Sequence, residues 1–349
     1  MELAQELIKP KRLLSGDKVA VLSPSWGGPF VFPDVYEKGL RVLMEWGLEV
    51  VEYPSTRMNN DSTINNVKAR AQDINNAFSD PEIKALFITI GGDDLVLLLP
   101  YLNPKVIKAN PKIVMGFSDT TVLNVFCYLK GMITFNGPSI MAGFSQMAAL
   151  PETYRQHVYD LLFSSKPTYT FPIYESFSDG FPDWSVKENL GKVNKPQLDT
   201  GIRVLQGHGV ISGTLFGGCL EVLEFIKGTE YWPTGSFWRG KIIFLETSEE
   251  KPSVNAVKRI LRNYGTQGVY EQINALMIAN PMHFSLEEKL ELDNVIRSVV
   301  SVEFGITNLP IITNVMFGHT DPKIVMPLGA KMELNLDKKI LRLLESVVA

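Results

Sequence analysis

The sequence predicts an α/β fold whose first half forms a parallel sheet with helices on both faces. Short runs rich in Val, Ile and Leu, typical of strands buried on both sides, alternate with segments whose apolar residues recur at helical spacing. This alternation of strand and helix is the pattern of a parallel sheet covered on both faces. A long stretch without periodicity in the middle of the chain separates this half from a second predicted domain.

The first half contains five predicted strands with helices between them. Gly47 and Gly131 are placed to end two of the helices. We predict strands at 18–22, 48–53, 85–90, 112–115 and 132–135, and helices at 36–46, 67–78, 95–101 and 120–129. Because ligands bind beyond the carboxyl ends of parallel strands, the loops that follow three of these strands should converge on one site. These loops are Ser23-Pro24-Ser25, Gly91-Gly92 and Phe117-Ser118.

Residues 164–201 are rich in Pro, Ser, Asp and Lys and carry scattered aromatic residues. Such a length without periodicity predicts a crossover or a functional loop. We therefore divide the chain into residues 1–165, a crossover or substrate loop at 166–200, and residues 201–349. In the last part we predict strands at 209–214, 241–245, 275–278 and 311–314, a turn at 216–219, helices at 220–227, 255–264 and 285–302, and a hairpin from 332–336 and 340–344.

Composition excludes several classes of protein. Of the 349 residues 45% are hydrophobic and 21% are charged, as in an ordinary globular protein. The net charge of −4, without any local Lys/Arg cluster, argues against a nucleic-acid partner. Two cysteines are too few for a disulfide framework, and no His, Cys or Asp cluster has metal-ligand spacing, so neither a metal nor a cofactor is predicted. With neither a secretory signal nor a membrane span visible, we expect a cytoplasmic protein without a membrane partner.

Ser118 stands where a buried strand turns into a helix. A serine at such a turn is held clear of the sheet edge, and the N–H groups of the new helix point at the group that it attacks. The alternative is that Ser118 is only a helix N-cap, which is the commoner role of a serine at this position. If Ser118 is a nucleophile, capping falls to Asp119 and the threonines that follow it.

A serine nucleophile needs a base and an acid that orients the base. His157 lies in a polar helical stretch and is expected to face solvent, whereas His208, His283 and His319 lie in loops or at strand ends. Chemistry alone leaves these three open. Glu246 ends the apolar strand 241–245, where a carboxylate needs a partner. It is a candidate orienting acid; a structural acid that caps the next helix or pairs with an arginine is the alternative.

The oxyanion formed by nucleophilic attack needs preorganised N–H donors. Gly91-Gly92 directly follows a predicted strand, and glycine lets the backbone approach a substrate closely. The N–H of Asp119, at the start of the predicted helix, is the natural second donor. A tight turn or a phosphate cradle would also explain the two glycines, but the phosphate-binding glycine motifs are missing from the sequence.

Several motifs occur in an order that resembles the LD-carboxypeptidase / microcin C self-immunity family of serine peptidases. They are Gly91-Gly92, Gly116-Phe117-Ser118-Asp119-Thr120-Thr121, the segment from Gly213 to Gly218, Phe244-Leu245-Glu246, and Gly318-His319 followed by Pro327-Leu328-Gly329. The resemblance implies that Ser118 is the nucleophile, His319 the base and Glu246 the orienting acid, with oxyanion N–H groups from Gly92 and Asp119. It also implies an N-terminal doubly wound domain that carries the nucleophile, a C-terminal β-rich α+β domain that carries Glu246 and His319, an active site between them, and a homodimer.

Two branches of this family act on different substrates. One removes the terminal D-alanine of murein tetrapeptides, and the other hydrolyses the amide between a peptide or amino acid and a nucleotide-like group. Residues 90–102 and 228–233 resemble the second branch, as does the loop with Trp184, whose counterpart stacks on adenine. The alternative is that Trp184 only anchors its loop. We therefore expect a small peptide or aminoacyl-nucleotide substrate, contacted also by Gly91.

This sequence departs from the family pattern at Cys219, where relatives have an asparagine that helps to hold the substrate. Asp93-Asp94 adds negative charge near the mouth of the site, and Asn280-Pro281 stands where relatives often have a cation. Murein tetrapeptide hydrolysis and a non-catalytic ligand-binding protein of the same fold remain the alternatives.

Overall fold

The computed structural model describes residues 7–59 and 65–349, and its strands form two large sheets and one small sheet. The strands are β1 Lys18–Leu22, β2 Glu49–Glu52, β3 Ile83–Ile88, β4 Ile113–Gly116, β5 Thr134–Asn136, β6 Tyr169–Thr170, β7 Ser176–Phe177, β8 Gln197–Leu198, β9 Arg203–Gln206, β10 Val210–Cys219, β11 Lys241–Glu246, β12 Ala275–Ala279, β13 Ile311–Val315, β14 Met326–Leu328, β15 Lys331–Asn335 and β16 Ile340–Leu343.

Nine α-helices lie among these strands in the described residues. They are α1 Gly28–Val31, α2 Pro33–Glu45, α3 Val67–Ser79, α4 Pro104–Ala109, α5 Thr121–Leu129, α6 Glu152–Phe163, α7 Leu220–Ile226, α8 Val254–Thr266 and α9 Leu286–Arg297. Short 3-10 helices cover Leu95–Tyr101, Ser118–Thr120, Met147–Ala149, Lys187–Asn189 and Gly235–Trp238, and a π-helical turn covers Ser298–Glu303. None of the helices in these ranges has the length and apolar character that crossing a bilayer requires.

The first sheet has the strand order β14-β5-β4-β3-β1-β2. Its pairings from β5 to β2 are parallel, and Val19 to Leu22 of β1 are buried on both faces, which explains their continuous apolar run. The predicted doubly wound, parallel sheet is thus confirmed. Its last strand, β14, pairs antiparallel with β5 and comes from the far end of the chain. Local periodicity could not show this pairing, because it joins segments almost 200 residues apart.

The second sheet has eight strands in the order β6-β16-β15-β10-β11-β12-β13-β9. The four strands from β10 to β13 are parallel, and the strands on either side of them pair antiparallel. The predicted hairpin is confirmed as β15 and β16. The turn predicted at 216–219 is wrong, because these residues continue β10.

The reason for this error lies in the pair Gly217-Gly218. A Cβ atom on Gly217 would lie 1.7 Å from the carbonyl oxygen of Phe244, and one on Gly218 would lie 2.5 Å from Cγ2 of Thr121. The two glycines therefore let β10 pass close to β11 and to α5, rather than reverse the chain.

Two helix predictions differ from the structure in kind. Residues 95–101 form a 3-10 helix, consistent with Pro100, which removes a backbone donor within it. The helix predicted at 285–302 is α-helical only to Arg297 and then widens into the π-helical turn. It begins at Ser285, whose side chain forms a capping box with Glu288.

Candidate active site

Ser118 lies at the junction of β4 and the short 3-10 helix Ser118–Thr120, just beyond the carboxyl end of the strand. Its φ angle is 59°, in the left-handed region that residues with a Cβ atom seldom adopt. Backbone strain of this kind is often found at functional sites, and a sharp strand-to-helix turn presents a serine hydroxyl. The residue is 9% exposed and lines a cavity of about 440 Å³.

The alternative that Ser118 caps the helix is not supported, since no side-chain capping bond occurs at the start of either helix that follows β4. The predicted transfer of capping to Asp119 and the threonines is wrong for the same reason. The Asp119 carboxylate instead accepts a hydrogen bond from the Ser25 hydroxyl at 2.6 Å and one from the Leu95 N–H at 2.9 Å. Burial raises the pKa of Asp119 to about 7, against the opposing effect of these two hydrogen bonds.

Asp119 therefore ties together the loops that leave three neighbouring strands. Ser25 follows β1, Leu95 follows β3, and Asp119 itself follows β4. The Trp26 N–H also donates to the Gly91 carbonyl oxygen at 3.1 Å, so the first two loops are joined directly as well. The predicted convergence of these loops is confirmed.

Gly91 lies against the serine. A Cβ atom built on Gly91 would lie 2.9 Å from both Cβ and Oγ of Ser118, and one on Gly92 would lie 2.3 Å from the Ser25 hydroxyl. Gly92 has a φ angle of 148°, in the range that favours glycine. Close packing against Ser118 thus explains Gly91, and close packing against Ser25 together with the positive φ angle explains Gly92. The part that the N–H groups of Gly92 and Asp119 play at an oxyanion stays a prediction.

Glu246 and His319 form a buried pair beside this turn. Glu246 is the last residue of β11 and His319 lies in the loop after β13, and the two are 1% and 3% exposed. Oε2 of Glu246 lies 2.5 Å from Nδ1 of His319. Gly318 makes the approach possible, because a Cβ atom there would lie 2.3 Å from the same carboxylate oxygen. His319 also lines the cavity with Ser118, and its ring meets that of Phe117 edge-on at 4.8 Å.

A second carboxylate reaches the other nitrogen of His319. Oε2 of Glu249 lies 2.8 Å from Nε2, although Nε2 has no hydrogen-bond partner of suitable angle among the described residues. Burial lowers the pKa of His319, but the negative charges of Glu246 and Glu249 outweigh this effect and raise it to about 10. The contact with His319 in turn lowers the pKa of Glu249 to about 2. In this arrangement the imidazole is protonated at neutral pH.

The other histidines lie outside the lining of this cavity. His208 is exposed, and the exposed His283 lies 3.6 Å from Asp179. The expectation that His157 faces solvent is wrong, because the residue is 1% exposed. Its Nε2 accepts the Val325 N–H at 2.8 Å, and burial lowers its pKa to about 3. Its neighbours in α6 are polar, but packing of the chain segment before β14 onto α6 covers it.

Aromatic side chains form one wall of the cavity. Trp184 packs edge-on against Phe32 at 5.7 Å and against Phe181 at 5.6 Å, and Phe32 contacts Trp26 at 6.0 Å. All four side chains line the cavity together with Ser118. The predicted loop at 166–200 therefore places Trp184 within reach of a ligand bound at the serine. Such a wall favours a planar apolar group.

Cys219 lies elsewhere. It is fully buried at the end of β10, opposite Glu246 in the sheet register, and its N–H donates to the Thr121 hydroxyl at 3.0 Å. It is not among the residues that line the cavity. Its contact with substrate stays a prediction that this placement does not support, since its buried thiol lies 3.7 Å from a carboxylate oxygen of Glu221, outside the cavity lining.

Sequence reasoning missed Glu249, Trp26, Phe32 and Phe181. The acidic pair Glu249-Glu250, three residues beyond a strand end with a buried acid, is a signal that could have indicated Glu249. The three aromatic residues gave no comparable signal, because apolar rings in loops are usually buried anchors. Among the described residues there is also no group of three or more His, Cys, Asp or Glu arranged for a metal ion.

Comparison with known proteins covers both halves of the chain. Residues 19–137 match the LD-carboxypeptidase N-terminal domain of the S66 peptidases, and residues 212–334 match the LD-carboxypeptidase C-terminal domain. The microcin C7 self-immunity protein MccF of Escherichia coli is 28% identical over 341 residues, 97% of this chain and 96% of that protein.

Two solved structures have the same architecture. MccF in complex with aspartyl sulfamoyl adenosine matches with a TM-score of 0.86 at 27% identity, covering 98% of this chain and 100% of that chain. An MccF-like protein from Streptococcus pneumoniae in complex with AMP matches with a TM-score of 0.81 at 27% identity, covering 94% and 98%. The similarity therefore extends over the whole length of the fold.

Proposed function

The chain belongs to the LD-carboxypeptidase family of serine peptidases, and we propose that it hydrolyses the amide between an aminoacyl or peptidyl group and a nucleotide-like group. One observation carries the choice of substrate: the cavity that holds Ser118 and His319 has an aromatic wall around Trp184. Relatives of the same fold bind aspartyl sulfamoyl adenosine and AMP, which carry a planar base. An aromatic wall suits such a base, because every base offers a face for stacking.

The proposed chemistry uses a Ser-His-Glu triad. The Ser118 hydroxyl attacks the amide carbonyl while Nε2 of His319 takes its proton, and Glu246 holds Nδ1 so that Nε2 faces the serine. The C–N bond breaks as His319 returns the proton to the leaving nitrogen, which leaves the acyl group on Ser118. Water, deprotonated by the same imidazole, then hydrolyses the ester and restores the serine.

N–H groups of Gly92 and Asp119 are the proposed donors to the oxyanion. Support for this comes from the closeness to Ser118 of Gly91, which precedes Gly92, and from the position of Asp119 at a helix start. The homodimer stays a prediction from the family resemblance. The cytoplasmic location stays a prediction as well, in keeping with the two free cysteines, Cys127 and Cys219.

The test is to assay the wild-type protein and Ser118→Ala on aspartyl sulfamoyl adenosine and on a murein tetrapeptide side by side. We expect the wild type to cleave the nucleoside substrate and the variant to lose the activity. If the wild type cleaves only the tetrapeptide, the substrate is a cell-wall peptide and the proposed nucleotide-linked substrate is wrong. Reaction with a serine-directed phosphonate, measured by intact-protein mass spectrometry, distinguishes an enzyme from a ligand-binding protein. The enzyme gives a one-to-one adduct that is lost in His319→Ala, and the absence of an adduct in the wild type would contradict the triad.

A further inference from the structure

The charged side chains that line the cavity are unusual for a site that acts beside a nucleotide. Besides His319, they are Asp93 and Glu249, and neither lysine nor arginine is among the lining residues in the described part of the chain. A site with two carboxylates and aromatic walls favours a cationic group and disfavours an anionic one. The composition of the lining thus points to a positive charge on the substrate.

Glu249 is a lining carboxylate that contacts the proposed base. Its Oε2 lies 2.8 Å from Nε2 of His319, the atom that takes the serine proton in the proposed mechanism. A general base lies about 3 Å from the hydroxyl it deprotonates, and a reacting hydroxyl lies about 3 Å from the carbonyl carbon. Glu249 therefore lies beside the proposed base, in the same cavity as Ser118. The α-amino group of an aminoacyl substrate, two bonds from the attacked carbonyl carbon, is the substrate cation that this position suits.

The nearby cations already have other partners. Lys251, on the same loop, pairs with Glu288 at 2.7 Å, Lys323 pairs with Asp321 at 2.5 Å, and His283 lies 3.6 Å from Asp179. Among the described residues, the imidazole of His319 is the one cation within ion-pair distance of Glu249. When His319 is neutral, as a base must be, none of the described residues offers Glu249 a cation within ion-pair distance.

From this geometry we infer that Glu249 binds the free amino group of the substrate's acyl residue and so selects aminoacyl over unsubstituted acyl groups. Glu249 exchanges its contact with the imidazolium for a contact with the substrate ammonium, which leaves Nε2 free to face Ser118. Its side chain is 58% exposed, so an entering ligand can reach the carboxylate from solvent. The inference rests on the proposed function, because it identifies the acyl group of the substrate that the proposed reaction cleaves.

The experiment measures binding, so that it does not depend on turnover. Glycyl sulfamoyl adenosine and acetyl sulfamoyl adenosine differ only by the amino group, and their Kd values are measured by calorimetry in a Ser118→Ala background. We expect the glycyl ligand to bind at least about tenfold more tightly, as a single charge pair at a partly exposed site allows. Adding Glu249→Gln should remove most of this preference. Adding Glu250→Gln, a change of the same kind one residue further along the loop, should leave it intact.

Equal binding of the two ligands, or a preference that survives Glu249→Gln, would overturn the inference. Binding of neither ligand would overturn it together with the nucleotide part of the proposed function. The glycyl ligand could also be preferred through Glu249 while the wild type fails to cleave it. That result would uphold the inference and contradict only the proposed hydrolysis. The two proposals therefore fail in different ways.

Discussion

Oε2 of Glu249 lies 2.8 Å from Nε2 of His319, on the side of the ring opposite the 2.5 Å contact between Nδ1 and Glu246. Two carboxylates thus flank one buried imidazole. Together they hold its pKa near 10, although burial alone would lower it. The resting protein stabilises the protonated ring, which is the form that the base takes only after it has accepted the serine proton.

The first prediction concerns the pH dependence of activity. The base form of His319 appears as the pH rises, so the acidic limb of the kcat/KM profile should lie above the ordinary histidine pKa of about 6.5. Glu249→Gln removes one of the two negative charges and should move this limb to lower pH, whereas Glu250→Gln should not. An unchanged limb in Glu249→Gln would contradict the contribution of Glu249 to the raised pKa of His319, because kcat/KM reports the ionisation of the free enzyme.

The same pair predicts how stability changes with pH. The folded pKa of His319 is raised, so its pairing stabilises the folded state fully below about pH 6.5, and this contribution is lost as the pH rises toward 10. Denaturant unfolding at pH 7 and pH 10 should therefore show a smaller loss of stability in His319→Gln than in the wild type. Equal losses in the two proteins would contradict the raised pKa.

Glu246→Gln should lower kcat by about 10³- to 10⁴-fold, because an amide favours the wrong tautomer of the imidazole. The variant keeps the size of the buried side chain, and far-ultraviolet circular dichroism should show an intact fold. Since one carboxylate is gone, the acidic limb of kcat/KM should also move to lower pH. Activity within tenfold of the wild type would exclude Glu246 as the orienting acid.

Gly91→Ala should lower kcat/KM by about 100-fold, since the added Cβ atom would lie 2.9 Å from the Ser118 hydroxyl and displace it. Gly228→Ala is the matched control, because a Cβ atom there meets nothing within 4 Å and Gly228 does not have a positive φ. Activity and phosphonate labelling of both variants would be measured. Normal labelling of Gly91→Ala would contradict the close approach.

Asp119→Asn tests the carboxylate that joins the three loops. The pKa of Asp119 is about 7 in the folded protein, above its ordinary value of about 4, so the unfolded chain ionises first as the pH rises. The wild type therefore loses stability between pH 4 and pH 7, and Asp119→Asn should not show this loss. Denaturant unfolding at pH 4.5 and 7.5 measures the difference. Parallel pH dependence in the two proteins would mean that Asp119 is ionised in the fold.

Trp184→Ala should weaken binding of sulfamoyl adenosine ligands by about tenfold or more, because stacking of one base contributes about 1–3 kcal/mol. Trp184→Phe should retain most of the affinity, since it keeps an aromatic face. Calorimetry in the Ser118→Ala background measures both. Equal affinity of Trp184→Ala and the parent protein would place the base elsewhere in the cavity.

Much of the fold followed from local pattern. Continuous apolar runs, such as Val19 to Leu22, identify central parallel strands that are buried on both faces. Gly116 at the end of β4 and Ser118 after it mark a sharp turn. The order of the motifs, through the family resemblance, connects Ser118, Glu246 and His319. The prediction from local pattern was wrong at Gly217-Gly218. Two adjacent glycines are typical of a turn, but here they allow close packing between β10 and its neighbours.

By itself, the sequence determined the parallel sheet, the family and the residues that are candidates for the chemistry. Only the tertiary structure decided that β14 completes the first sheet, that His157 is buried, and that Glu249 reaches Nε2 of His319. The physical reason is that periodicity reports contacts within a turn or a strand. Contacts between loops 70 to 190 residues apart depend on how the two sheets pack, and no local pattern records that packing.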